Sequence, residues 1–278
     1  MMLKRLMLIS ILTVLSCLFS SCISNPDNSG FRHEPSDEKT LKAATDNAKP
    51  ETYDPTDDAT LSEEHLAWEI ILKENLGSFY YPRYLKKRIA GEEQAWDYVK
   101  DDPSLPRILI IGDSISRGYT LPVRHALAGK VNVHRAPENC GPTSRGLEKL
   151  DLWLGNGPWD LIVFNFGIHD RNTSSDVYRK NLETIIARLQ HTNAKLLWVT
   201  TTPVPPGAME YVEGSIERLN PIGLEAAMAH QIPVADLHTE VLPILEDYQY
   251  PQNCHFEDEG YEYMGQFIAQ QVMRALAQ

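Results

Sequence analysis

From Arg107 onward, short apolar runs alternate with amphipathic segments. Arg107 to Ile111, Val131 to His134, Leu161 to Phe166, Lys195 to Thr200 and Pro233 to Leu237 are each short and rich in Val, Ile or Leu, as buried strands are. The clearest helical pattern between them places Tyr178, Leu182, Ile185, Ile186 and Leu189 on one face. A last helix, from about Asp258 to Ala277, carries Met264, Ile268, Val272 and Leu276 at helical spacing. Strands separated by helices predict an α/β fold with a five-stranded parallel sheet covered on both faces, because parallel neighbours need right-handed crossovers. In such sheets the ligand lies beyond the carboxyl ends of the strands.

The pattern before Arg107 is different. Residues 1–21 run basic (Lys4, Arg5), then apolar (Leu6 to Phe19), then small (Ser20, Ser21), which is the order of a secretory signal. The apolar run is short for a membrane span. Its ending, Ser20-Ser21-Cys22, resembles a bacterial lipoprotein signal in which Cys22 is lipidated, with Cys17 a second candidate. That resemblance implies export to the cell envelope, periplasmic or surface-facing, with the membrane reached through a lipid anchor only. Residues 22–59 are polar and lack large apolar side chains, which predicts a flexible tether. Residues 60–104 read as a helical extension. Thr60 and Glu63 have capping-box spacing, Leu66, Ala67, Ile70 and Ile71 form one stripe ending at Gly77, and the aromatic stretch from Phe79 to Trp96 packs the extension onto its neighbour. The main domain is residues 105–278.

Composition narrows the partners. The chain has 278 residues, of which 42% are hydrophobic and 23% charged, enough for a full core. Its formal net charge is -12, and loss of Lys4 and Arg5 with residues 1–21 would leave about −14. Such a surface repels phosphate backbones and excludes nucleic acid as a partner. Nothing in the composition bears on oligomeric state.

The loops at the carboxyl ends of the strands carry the chemistry. After the first strand comes Gly112-Asp113-Ser114-Ile115-Ser116, a tight connection that can expose a serine hydroxyl and aim its own N–H at a developing oxyanion. After the second comes Asn139-Cys140-Gly141-Pro142-Thr143, and after the third Gly167-Ile168-His169-Asp170. His255, followed by Gly260-Tyr261, precedes the last helix. In this order the pieces resemble the SGNH hydrolase superfamily, the GDSL-like esterases, over roughly residues 105–278. The resemblance implies a three-layer α/β/α sandwich of flavodoxin-like type and hydrolysis of carboxylic esters, often acyl groups on carbohydrate, without cofactor or metal. It also implies Ser114 as nucleophile, His255 as its base, and Gly141 as an oxyanion donor.

Two positions depart from the family pattern. His169 stands where an oxyanion-binding Asn is usual, and a neutral imidazole still offers one N–H. Gln252 stands three residues before His255, where the family has an acid, so Gln252, Asn253, a backbone carbonyl or Asp236 could orient the imidazole. Cys140 precedes Gly141 and Cys254 precedes His255, which predicts either a disulfide between the two loops or a pair of small buried hydrophobes. Residues 203–214, with three prolines, could form a lid or substrate groove. His125, His134, His191 and His230 read as structural or exposed, and Trp153 and Trp159 as packing residues.

Two other functions fit parts of the same sequence. A carbohydrate-binding pseudoenzyme would tolerate both departures. A dinuclear metallophosphoesterase is suggested by the Gly-Asp loop at Gly112, the block from Gly167 to Asp170, and Asp236-Leu237-His238, but there the Asp-x-His should open the fold rather than follow.

Overall fold

The computed structural model of the chain describes residues 54–155 and 157–278. The signal segment, Cys17, Cys22 and nearly all of the tether lie outside the described residues.

The sheet has five parallel strands, β1 (Arg107–Ile111), β2 (Asn132–Arg135), β3 (Leu161–Phe164), β4 (Lys195–Val199) and β5 (Val234–Ala235), in the order β2-β1-β3-β4-β5. The order reverses at β1, so the crevice beyond β1 and β3 is the expected ligand position. The helices are α1 (Glu63–Asn75), α2 (Gly77–Ile89), α3 (Ser114–Ala126), α4 (Thr143–Leu154), α5 (Ser175–Gln190), α6 (Ser215–Ala229), α7 (Leu237–Val241), α8 (Leu245–Tyr248) and α9 (Asp258–Ala277). Alternate strand residues feed the two faces. Leu109, Ile162, Phe164 and Trp198 pack with α4, α5 and α6, while Ile108, Ile110, Val163 and Leu197 pack with α3 and α9. This burial on both faces is why the strands read as continuous apolar runs rather than alternating ones.

The fifth strand is shorter than its apolar pattern predicts. Asp236 accepts from Thr239 N, so the chain turns into α7 at Leu237. Helices α3 and α9 approach closely because glycine stands at the contacts: a Cβ on Gly118 would enter the Tyr261 ring, and one on Gly265 would overlap Pro122.

The extension differs from its sequence pattern in two respects. The cap of α1 is Ser62, which accepts from His65 N, whereas Thr60 donates to Asp58. The buried side of α1 is Glu69, Leu72 and the following Leu76, and Ala67 and Ile70 face solvent. Glu69 can lie inside because Arg88 (3.0 Å), Tyr84 Oη (2.8 and 2.9 Å) and His65 (3.2 Å) neutralise and bond it. The aromatic stretch packs as expected, with Tyr80, Tyr84 and Trp96 against Leu72 and Leu76. Trp96 Nε1 donates to Ala136 O just beyond β2 at 3.2 Å. Arg124 of α3 bonds Gln94 O, Ala95 O and Val133 O, fastening the extension to the sheet edge.

Candidate active site

Asp113 ends the turn after β1 by capping α3, its Oδ1 accepting from Ile115 N at 2.9 Å. Ser114 is therefore the first residue of α3, at the positive end of the helix, and it is 8% exposed. Its Oγ lies 2.8 Å from His255 Nε2. His255 Nδ1 lies 2.7 Å from Asn253 Oδ1, which also accepts from His255 N at 3.1 Å. An amide oxygen can only accept, so it fixes the proton on Nδ1 and leaves Nε2 to take one from the serine. The loop is braced by Tyr250 N donating to His255 O at 3.0 Å and by the bridge between Gln249 and Phe256.

Of the candidates for orienting His255, the geometry selects Asn253. Gln252 is turned away in a left-handed conformation (φ 55°) and packs beside Gly207. Asp236 is committed to Thr239 N (3.3 Å) and Thr200 Oγ1 (3.1 Å). Burial opposes ionisation of Asp236, but those bonds outweigh it and hold the carboxyl below its ordinary value.

Gly141 has φ 69°, a conformation that favours glycine, and its loop leads directly into α4. The N–H groups of Ser114 and Gly141 have no backbone acceptor among the described residues. Buried Glu138 accepts from Trp153 Nε1 at 2.6 Å and pairs with Arg145, which fixes the course of this loop. His169 is half-buried in a 3₁₀ turn, Ile168–Asp170, and its ring makes no hydrogen bond among the described residues. Asp170 accepts from Thr143 N (2.8 Å) and Thr143 Oγ1 (2.7 Å), tying the His169 turn to the start of α4 beside Gly141. Burial raises the Asp170 carboxyl above its ordinary value, opposed by the two Thr143 bonds.

Of the two alternatives for the cysteines, the structure has the pair of small buried side chains and not the disulfide. Cys140 and Cys254 are both free and buried. Each thiol is lodged on its own loop, Cys140 Sγ 3.9 Å from Glu138 O and Cys254 Sγ 3.6 Å from His255 Nδ1. Burial pushes Cys140 up to about 12 and Cys254 higher still, so both behave as small inert hydrophobes. Among the described residues no three His, Cys, Asp or Glu side chains converge as a metal site. Residues 203–214 lie against the histidine loop through Gln249 Nε2, which donates to Pro203 O at 2.8 Å, and they expose Met209, Tyr211 and Val212.

Sequence reasoning missed Arg135, the last residue of β2. Its side chain is 1% exposed and donates to Gly112 O (3.0 Å), Asp113 O (2.9 Å) and Ser116 Oγ (2.7 Å). Burial lowers its pKa from the usual arginine value, yet a guanidinium remains protonated at any working pH. The available signal was a lone charge at the carboxyl end of a buried strand, next to the predicted site.

Residues 110–263 match the GDSL-like lipase/acylhydrolase family, more than half of the chain. An arylesterase from Vibrio mimicus is 21% identical over 183 residues, 61% of this chain and 90% of its own. The solved lipase/acylhydrolase from Enterococcus faecalis shares 26% identity at a TM-score of 0.55, covering 60% of this chain and 95% of that one. An acetylxylan esterase from Geobacillus stearothermophilus has the same fold at 12% identity, TM-score 0.52, with 60% and 94% covered. A parallel five-stranded sheet, a serine bonded to a histidine at its carboxyl edge and these likenesses lead to one assignment: the chain belongs to the GDSL-like lipase/acylhydrolase family and is a hydrolase of ester bonds.

Proposed function

We propose that the chain is a serine esterase working through a Ser114–His255 acyl-enzyme, with O-acetyl groups on carbohydrate as its substrate class. The observation that carries this reading is the hydrogen-bonded series Ser114 Oγ, His255 Nε2, His255 Nδ1, Asn253 Oδ1. Ser114 Oγ attacks the ester carbonyl carbon while His255 Nε2 takes its proton. The oxyanion is received by the N–H groups of Ser114 and Gly141 and by one ring N–H of His169, in the Gly-x-His-Asp block. Collapse expels the alcohol, which recovers the proton from Nε2. Water then attacks the acyl-Ser114 ester with His255 again as base, releasing the acid and restoring the serine.

The acetyl-sugar class is supported by the acetylxylan esterase likeness and by the envelope location that the signal segment implies. Cys22 is the lipidation site in this reading, and Cys22→Ser should move the protein from the membrane fraction to the soluble one. The function itself is tested with acetylated xylo-oligosaccharides and p-nitrophenyl esters, alongside intact-mass detection of a fluorophosphonate adduct. Wild type should release acid and take the label, and Ser114→Ala should do neither. Full turnover by Ser114→Ala would overturn the mechanism. Binding of acetylated glycan by wild type without acid release would instead favour a carbohydrate-binding pseudoenzyme.

A further inference from the structure

Resting on the serine-esterase reading, we infer that Arg135 is a positioning residue for the oxyanion site, acting through the peptide groups that carry its backbone donors. The Arg135 guanidinium is enclosed and grips Gly112 O and Asp113 O, the two carbonyls that lead into the nucleophile. Asp113 O belongs to the same peptide as the Ser114 N–H. In a planar trans peptide these point in opposite directions, so a cation on the oxygen polarises the donor that emerges on the other side. Gly112 O is shared between Arg135 (3.0 Å) and Cys140 N (3.2 Å), the residue before Gly141. One guanidinium therefore sits where the two loops bearing the backbone oxyanion donors meet.

Helix geometry alone does not account for this arrangement. Arg117 N already bonds Asp113 O at 3.0 Å, as a normal first helical turn requires. Among the described residues no carboxylate lies within ion-pair distance of Arg135, and its Nε has no hydrogen-bond partner. A fully buried cation without a bonded anion is costly, and a fold that needed only to close the turn could use a neutral donor. The Asp113 carboxylate favours the cation only from beyond ion-pair distance, and the further negative charge it can meet is the one that appears on the carbonyl oxygen when Ser114 attacks. Because that charge is absent from the bound ester, the interaction acts on turnover rather than on binding.

The test measures p-nitrophenyl acetate hydrolysis, inhibition by phenylboronic acid as a tetrahedral adduct of the serine, and thermal midpoint, for wild type, Arg135→Lys and Arg135→Met. Arg135→Met should lower kcat by about 10- to 10²-fold, less than direct loss of an oxyanion donor, with KM changed by less than about twofold. Boronate affinity should weaken in step with kcat. Arg135→Lys keeps the charge but not the fork, so it should fall between wild type and Arg135→Met, and it keeps the test readable should the neutral variant fail to fold. Unchanged kcat per titrated active serine in either folded variant, with only a lower thermal midpoint, would overturn the inference and leave the esterase reading standing. If wild type hydrolyses no ester and takes no phosphonate label, the esterase reading falls, and this inference with it.

Discussion

His255 is oriented by an amide where a carboxylate is usual, and the difference is chemical. Asn253 Oδ1 accepts from Nδ1 at 2.7 Å, so tautomer and ring plane are fixed, but the orienting group itself carries no negative charge to favour the imidazolium of the proposed attack. Asn253→Ala should lower kcat by about 10- to 10³-fold while the phosphonate still labels Ser114 slowly. Asn253→Asp should retain turnover at neutral pH. A carboxylate there favours protonated His255, so the base form is lost at a higher pH and the acid limb of the activity profile moves upward. An acid limb identical in the two proteins would remove Asn253 from the mechanism. His169 poses a related question at the oxyanion. His169→Ala should cost on the order of 10²–10³ in turnover with little change in KM, and His169→Asn, which keeps a donor, should cost less. Near-normal turnover in His169→Ala, with a lowered thermal midpoint, would show that the ring only packs its 3₁₀ turn.

The elements were more legible than the contacts between them. The span Arg107–Ile111 and the last helix, Asp258–Ala277, follow directly from apolar periodicity, as does the buried face of α5 from Tyr178 to Leu189. The pattern failed where a polar group won a local contest. Asp236 starts α7 and cuts β5 short, Ser62 displaces Thr60 as a cap, and Glu69 turns the inner side of α1 away from Ile70. In the site, the family resemblance was enough to pair Ser114 with His255, whereas the choice of Asn253 over Gln252 depends on a left-handed backbone angle that no residue type announces. Asp170 belongs to this middle scale because it joins two loops. Asp170→Ala leaves the buried Thr143 N–H and hydroxyl without their acceptor, a loss of about 1–3 kcal/mol in folding stability. Because the folded carboxyl holds its proton more tightly than the unfolded one, this group's contribution to stability falls as pH rises from 3.8 through its raised folded value. Asp170→Asn should flatten that part of the stability curve, and denaturant melts across that pH range measure it.

Across the whole molecule, the extension is built into the domain rather than hung on it. Trp96 is 4% exposed, packs with Leu72 and Tyr84, and donates to Ala136 O beyond β2, one residue after Arg135. The Arg135 guanidinium lies 5.8 Å from the Trp96 ring centre, so the indole also forms part of the wall around the cation beneath Ser114. Arg124, half-buried and lowered to about 10 by loss of solvent, takes two of its three carbonyl partners from the extension. Removing residues 54–104 would leave that guanidinium short of two acceptors and Ala136 O without its indole donor, so the truncated chain should not fold to a stable domain. Trp96→Ala tests the same coupling with less damage. It should cost about 3–5 kcal/mol of stability, the range for a large buried aromatic. It should also lower turnover per folded molecule through Arg135, and Trp96→Phe, which keeps a ring but loses the Ala136 bond, should recover most of the turnover while regaining only part of the stability. If Trp96→Ala lowered the thermal midpoint and left kcat unchanged, the extension would be a brace for the sheet edge alone, with no bearing on the chemistry at Ser114.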